Sequence, residues 1–106
     1  MSLVDRAQYI EKMTNNLPTL RAKLRLSQAE LGELIGVTRQ QIVAIENHKR
    51  KMSWSIFLSL VLFFSSQPAT RDLLRLFDIY GENLFEIIEE REHAGFRTPS
   101  EERIAL

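Results

Sequence analysis

The chain has no cysteine, so it forms no disulfide and offers no thiolate to a metal. Its two histidines, His48 and His93, are too few for a metal cluster without carboxylate help. Four glycines and three prolines interrupt 106 residues, and no alternating strand pattern of useful length occurs. Helices throughout are therefore expected. The most apolar run, residues 54–64, is 11 residues long, whereas a membrane span needs about 20. The first residues include Asp5 and Glu11 and lack the apolar core of a signal peptide. A cytoplasmic protein that does not enter the membrane is expected. Glycine-rich phosphate loops, paired-histidine metal motifs and serine nucleophile turns are all missing. Glu89, Glu90 and Glu92 read as a solvated acidic helix face. No catalytic residue, metal site or cofactor is expected, and an enzyme is not indicated.

What is present begins with charge. The formal net charge is zero, but it is unevenly spread. Residues 1–66 carry nine lysines and arginines against five carboxylates, and residues 67–106 carry five against nine. The first part is thus +4 and the second −4. Such a split fits one side facing a polyanion and another facing protein or solvent.

Periodicity then divides the chain. Val4, Ala7, Ile10 and Met13 share one face of a first helix over residues 3–15. Asn16 and Pro18 predict the start of a second, with Leu17, Leu20 and Leu24 as its apolar stripe. Two short helices follow, over 28–35 and 38–47. Ser53 caps a helix from 54 to about 65, and Pro68 opens another to about 80 with Leu73, Leu74, Leu76 and Phe77 apolar. Asn83, with Glu86 three residues on, predicts a last capped helix to about 92. Residues 95–106 read as a tail or arm.

The two short helices carry the most specific signal. Leu31, Ile35, Val37, Ile42 and Ile45 form an apolar inner face. Gly32 falls where a side chain would hold the second helix off. Gly36 falls at the turn, where a left-handed backbone favours glycine. Thr38 is an N-cap, and Gln41 completes a capping box. Thr38, Arg39, Gln40, Gln41 and Ala44 are left on or near the outer face. Arg and Gln read guanine and adenine edges in the major groove, so the pair looks like a DNA-binding helix-turn-helix.

The run from Leu26 to Asn47, LSQAELGELIGVTRQQIVAIEN, resembles the phage Cro and repressor-type helix-turn-helix, the XRE family. The resemblance covers roughly residues 17–64. It is carried by Arg21 before the motif, Leu26-Ser27-Gln28 opening it, Gly36 at the turn and Ile45-Glu46-Asn47 closing it. Two positions depart from the family pattern. Gly32 stands where alanine is usual, at about 1 kcal/mol of helix propensity. His48 stands where glycine often follows the Glu-Asn pair, so either Asn47 or His48 must take the positive φ that ends such a helix.

The implied fold is all-α: a compact, lambda-repressor-like helix-turn-helix domain flanked by an N-terminal helix and C-terminal helices. Its expected divisions are 1–16, an N-terminal helix; 17–66, the DNA-binding domain; and 67–106, C-terminal helices and tail that serve dimerisation. Arg39, Gln40, Ala44 and Gln41 are the expected base readers. Arg39 suits guanine O6 and N7, Gln40 suits adenine N6 and N7, and the Ala44 methyl suits a thymine methyl. The resemblance implies phosphate contacts for Gln28, Thr38 and Asn47. Lys49, Arg50 and Lys51 follow the recognition helix and would lie beside the DNA backbone. Arg21 and Glu46 resemble a family ion pair that joins the first helix to the end of the recognition helix.

Residues 54–64, WSIFLSLVLFF, are apolar except at Ser55 and Ser59. A helix apolar nearly all round must be covered on more than one side. A homodimer is expected, with Trp54, Phe57, Phe64, Leu84, Phe85 and Ile88 as candidate interface residues. The leading reading is a transcriptional regulator, a repressor, bound to double-stranded DNA. The alternative is an antitoxin-like module whose C-terminal half binds a toxin-like protein partner.

Overall fold

A computed structural model describes residues 3–79, with side chains from Asp5 onward. Every regular element among them is helical: α1 (Leu3–Lys23), α2 (Gln28–Ile35), α3 (Arg39–Glu46), α4 (Trp54–Ser66) and α5 (Pro68–Leu76). α2 packs on α3, and α4 packs on α5. α1 runs across α3, α4 and α5. The core between them is built from Met13, Leu17 and Leu20 of α1, Leu31 of α2, Ile42 and Ile45 of α3, and Phe57, Leu60 and Phe64 of α4, all fully buried.

The break expected at Asn16 is absent, because α1 continues through Pro18 to Lys23. Pro18 is exposed, so its ring stands on the solvent side of the helix. The Asn16 amide, read as a helix start, instead donates to the Lys12 carbonyl at 2.8 Å. An interior proline costs about 3 kcal/mol. Burying Met13, Leu17 and Leu20 returns about 1.5–3 kcal/mol each. The spacing Ile10, Met13, Leu17, Leu20, Leu24 crosses Pro18 without a change of phase, so one helix buries more than two would.

α4 resolves its apolar excess by the same periodicity. Phe57, Leu60, Val61 and Phe64 lie at the i, i+3, i+4, i+7 positions of one buried stripe. Phe57 and Phe64 are completely covered by this chain, so neither is available to a dimer interface. Trp54 is half-buried and stacks on Phe57, with ring centroids 4.7 Å apart and planes at 14°. The leucines that α4 turns outward are Leu58 and Leu62, 39% and 75% exposed.

The α4–α5 corner is closed by polar groups. Thr70, buried, donates to the Phe64 carbonyl at 2.7 Å, and Arg71 donates to the Ser65 carbonyl at 2.8 Å. α5 ends at Leu76, short of the expected residue 80. Asp78 there takes φ 54° while its N–H and that of Ile79 close onto the Arg75 and Leu74 carbonyls. Ile79 is buried and Leu76 is 74% exposed. The capped helix expected from Asn83, the tail, and the interface candidates Leu84, Phe85 and Ile88 lie outside the described residues.

Candidate nucleic-acid interface

α2 and α3 have eight residues each, too short to be stable alone. Each is fixed by a capping box. Ser27 Oγ accepts from the Glu30 N–H at 3.0 Å, and the Glu30 carboxylate accepts from the Ser27 N–H at 3.0 Å. That backbone N–H, with the Ser27 hydroxyl second, holds the Glu30 carboxyl below its ordinary 4.5. At α3, Thr38 Oγ1 accepts from the Gln41 N–H at 3.1 Å, and Gln41 Oε1 accepts from the Thr38 N–H at 2.8 Å. The Thr38–Gln41 box was expected. The Ser27–Glu30 box was missed, although Ser-x-x-Glu before an apolar run is its ordinary signature.

The turn between them depends on two glycines. Gly36 adopts φ 82°, and the N–H groups of Gly36 and Val37 both donate to the Gly32 carbonyl, at 2.8 and 2.9 Å. A Cβ on Gly32 would lie 2.6 Å from the Val37 carbonyl oxygen. The close approach at Gly32 is thus to the turn backbone rather than to the body of α3. Alanine's better helix propensity is outweighed there by overlap with backbone that cannot swing aside.

Arg21 and Glu46 form the expected pair. Arg21 Nε and Nη2 donate to the two carboxylate oxygens of Glu46, both at 3.0 Å. Arg21 Nη1 donates to the Leu26 carbonyl at 3.0 Å, while the Arg21 carbonyl accepts from the Leu26 N–H at 3.0 Å. One residue of α1 therefore satisfies both backbone groups of Leu26 and grips the last residue of α3. The Glu46 side chain is 6% exposed. Gln28 Nε2 also donates to Glu46, at 3.1 Å, which ties the start of α2 to the end of α3.

The end of α3 settles the choice between Asn47 and His48. Asn47 has φ −88°, and His48 takes the left-handed conformation at φ 58°. The His48 N–H donates to the Ile45 carbonyl at 3.1 Å, and the Lys49 N–H to the Ala44 carbonyl at 2.9 Å. This is a Schellman close, which puts the left-handed residue one place beyond the C-cap. Arg25 closes α1 in the same way at φ 57°.

The outer face of α3 is thereby defined. Arg39 and Gln40 at its first turn are exposed, and Ala44 lies one turn from Gln40. Gln41 is half-buried, with its carbonyl oxygen held by the cap and its amide N–H groups free of that bond. Thr38, Asn47, Lys49, Arg50 and Lys51 are exposed along the edges of α3. Among the described residues, none of Arg39, Lys49, Arg50 or Lys51 pairs with a carboxylate. Buried Met52 anchors the basic segment behind them. No helix among the described residues is long and apolar enough to cross a membrane. No group of three metal-ligating side chains occurs among them.

Two capped helices, a left-handed glycine turn and a polar outer face on the second helix define a helix-turn-helix domain. A family model described as helix-turn-helix matches residues 19–53. An uncharacterized HTH-type transcriptional regulator of Bacillus subtilis (strain 168), YgzD, is 42% identical over 53 residues, which cover 50% of this chain and 80% of that protein. The chain belongs to the helix-turn-helix family of DNA-binding transcriptional regulators. No solved structure matches it.

Proposed function

We propose that this regulator is a cytoplasmic repressor that binds double-stranded DNA as a homodimer and lays α3 in the major groove. Arg39 donates to guanine O6 and N7, Gln40 pairs with adenine N6 and N7, and Ala44 meets a thymine methyl. The Gln41 amide reaches a base or the backbone from its place in the cap. Gln28, Thr38, Asn47, Lys49, Arg50 and Lys51 contact phosphates, which supply affinity and register but no sequence information. The observation that carries this reading is the contrast between two arginines of the motif. Arg21 has its guanidinium engaged by Glu46 and Leu26, whereas Arg39 projects from the first turn of α3 with no carboxylate partner among the described residues. Outward Leu58 and Leu62 support a two-fold partner, which would place two recognition helices about 34 Å apart on successive turns of the duplex. The same leucines also suit a different protein partner, which keeps the antitoxin-like reading as the alternative.

The test is selection of bound sites from randomised duplex DNA at about 150 mM salt, with Arg39→Ala in parallel. A two-fold symmetric site, broadened at one base per half-site in the variant and weakened by about 1–3 kcal/mol, is expected. No enrichment, with only weak salt-sensitive binding, would replace the repressor reading with the protein-partner one.

A further inference from the structure

α1 begins well before the helix-turn-helix unit, and its first turns face the segment that leaves α3. Between them lies a cleft of about 700 Å³, a size that suits a small-molecule ligand. Its deep part is apolar: Met52 is buried, and Ile10 is half-buried. Thr14 is also buried there, and its hydroxyl donates back to the Ile10 carbonyl at 2.7 Å, so it presents no free proton to the cleft. The outer part carries Arg6, Lys49, Arg50 and Lys51, with His48 beside them, against the single carboxylate of Glu11.

Arg6 is held in place. Its guanidinium lies 5.0 Å from the centre of the Trp54 ring, whose other neighbour is Phe57, stacked at 4.7 Å. A cation laid on an indole keeps its N–H groups free for an anion. Among the described residues Arg6 has no carboxylate partner. An apolar floor under a cationic rim selects for a ligand with both characters. A bare phosphate would use the rim and leave the floor empty.

We propose that this cleft binds a small organic anion with an apolar body, a carboxylate or sulfonate carried on an aromatic or aliphatic group, and that its occupancy opposes DNA binding. The second half rests on the DNA-binding reading, because Lys49, Arg50 and Lys51 belong both to the cleft and to the phosphate-contacting set. An anion seated among them neutralises the charge that the DNA backbone requires. By linkage, DNA must weaken the anion by the same factor.

The probe is 8-anilinonaphthalene-1-sulfonate, titrated into the full chain. Trp54 is the chain's one tryptophan, so its indole N–H resonance reports the cleft directly. The expected result is a saturable shift of that resonance, with the dissociation constant raised about tenfold or more by Ala7→Phe, which fills the cleft. Leu76→Gln, at the exposed end of α5 and away from the cleft, is expected to leave it unchanged. An indole resonance that does not move overturns the proposal. So does loss of binding in Leu76→Gln but not in Ala7→Phe, or an equal shift with inorganic phosphate. In the second arm, the probe should weaken DNA binding by the wild-type chain but not by Ala7→Phe. Cleft binding without that effect overturns the regulatory half alone. Absence of DNA binding by the free chain overturns the function proposed above and leaves the ligand site standing.

Discussion

The α2–α3 unit and the α4–α5 unit are held by different kinds of force. α2 and α3 bury few residues, Leu31 and Gly32 in one and Ile42 and Ile45 in the other, and are fixed by caps, a two-glycine turn and the Arg21–Glu46–Gln28 network. α4 buries Phe57, Leu60, Val61 and Phe64, and has one side-chain cap at Ser53. Apolar burial is strong but non-directional, and it tolerates a small rotation of the helix. Bidentate hydrogen bonds are weaker in net terms but fix an angle. The ion pair and the capping boxes cluster around α3, and the α4–α5 corner is closed by the Thr70 and Arg71 bonds to the Phe64 and Ser65 carbonyls. α4 buries more large apolar side chains than α2 and α3 together.

Four changes would break or sharpen this division. The largest effect is expected from Phe57→Ala, which should cost about 3–5 kcal/mol in urea melts while any surviving folded fraction keeps its base preference. A shifted preference would mean that α4 aims α3 after all. Glu46→Ala strands the Arg21 guanidinium. It should cost about 3 kcal/mol, the low end for a broken buried pair, since the Arg21 side chain keeps 20% exposure. Its mark is a loss of DNA affinity larger than the loss of folded protein explains, read by comparing binding with melts. A stability change within about half a kcal/mol would show that the pair does not lock the helix.

His48→Gly relieves a side chain at φ 58° and should stabilise by about 0.5–1 kcal/mol. A neutral or negative change in midpoint would show that the left-handed turn carries no strain. The smallest effect concerns Glu30, whose folded carboxyl titrates below 4.5. Its contribution is complete above that pH and is lost as pH falls through 4.5 toward the lowered folded value. Glu30→Gln should flatten the acid limb of stability, and an unchanged limb would assign it to other carboxylates.

The motif was legible because its rules are local. Gly36, Thr38 with Gln41, and the small residue at position 32 each act within a few residues of themselves. The helix start at Asn16 was a local rule too, and it lost to a longer one: the apolar phase running from Ile10 to Leu24. Phe57 and Phe64 were assigned to a dimer interface because the apolar composition of residues 54–64 hid a stripe that their spacing contains. Arg25 and Asp78 gave no signal, since left-handed caps are read from glycine and neither is glycine. At the end of α3 the missing glycine left Asn47 and His48 as alternatives that spacing alone does not separate. The cleft beside Trp54 was not legible either. It joins Arg6 to Lys51 across the fold, and nothing in the spacing of the chain brings them together.

The Ala44 carbonyl accepts from both Lys49 and Arg50, at 2.9 and 3.3 Å, which sets where the basic segment starts relative to α3. α3 has eight residues, so at 1.5 Å per residue it is about 12 Å long. DNA rises about 3.4 Å per base pair, and that length corresponds to three or four base pairs. Under the function proposed above, the helix and its closed exit would act as a ruler between Arg39 and Gln40 at one end and the basic segment at the other. An insertion between Asn47 and Met52 would lengthen it, and the change would be read in the width of the half-site rather than in the identity of its bases.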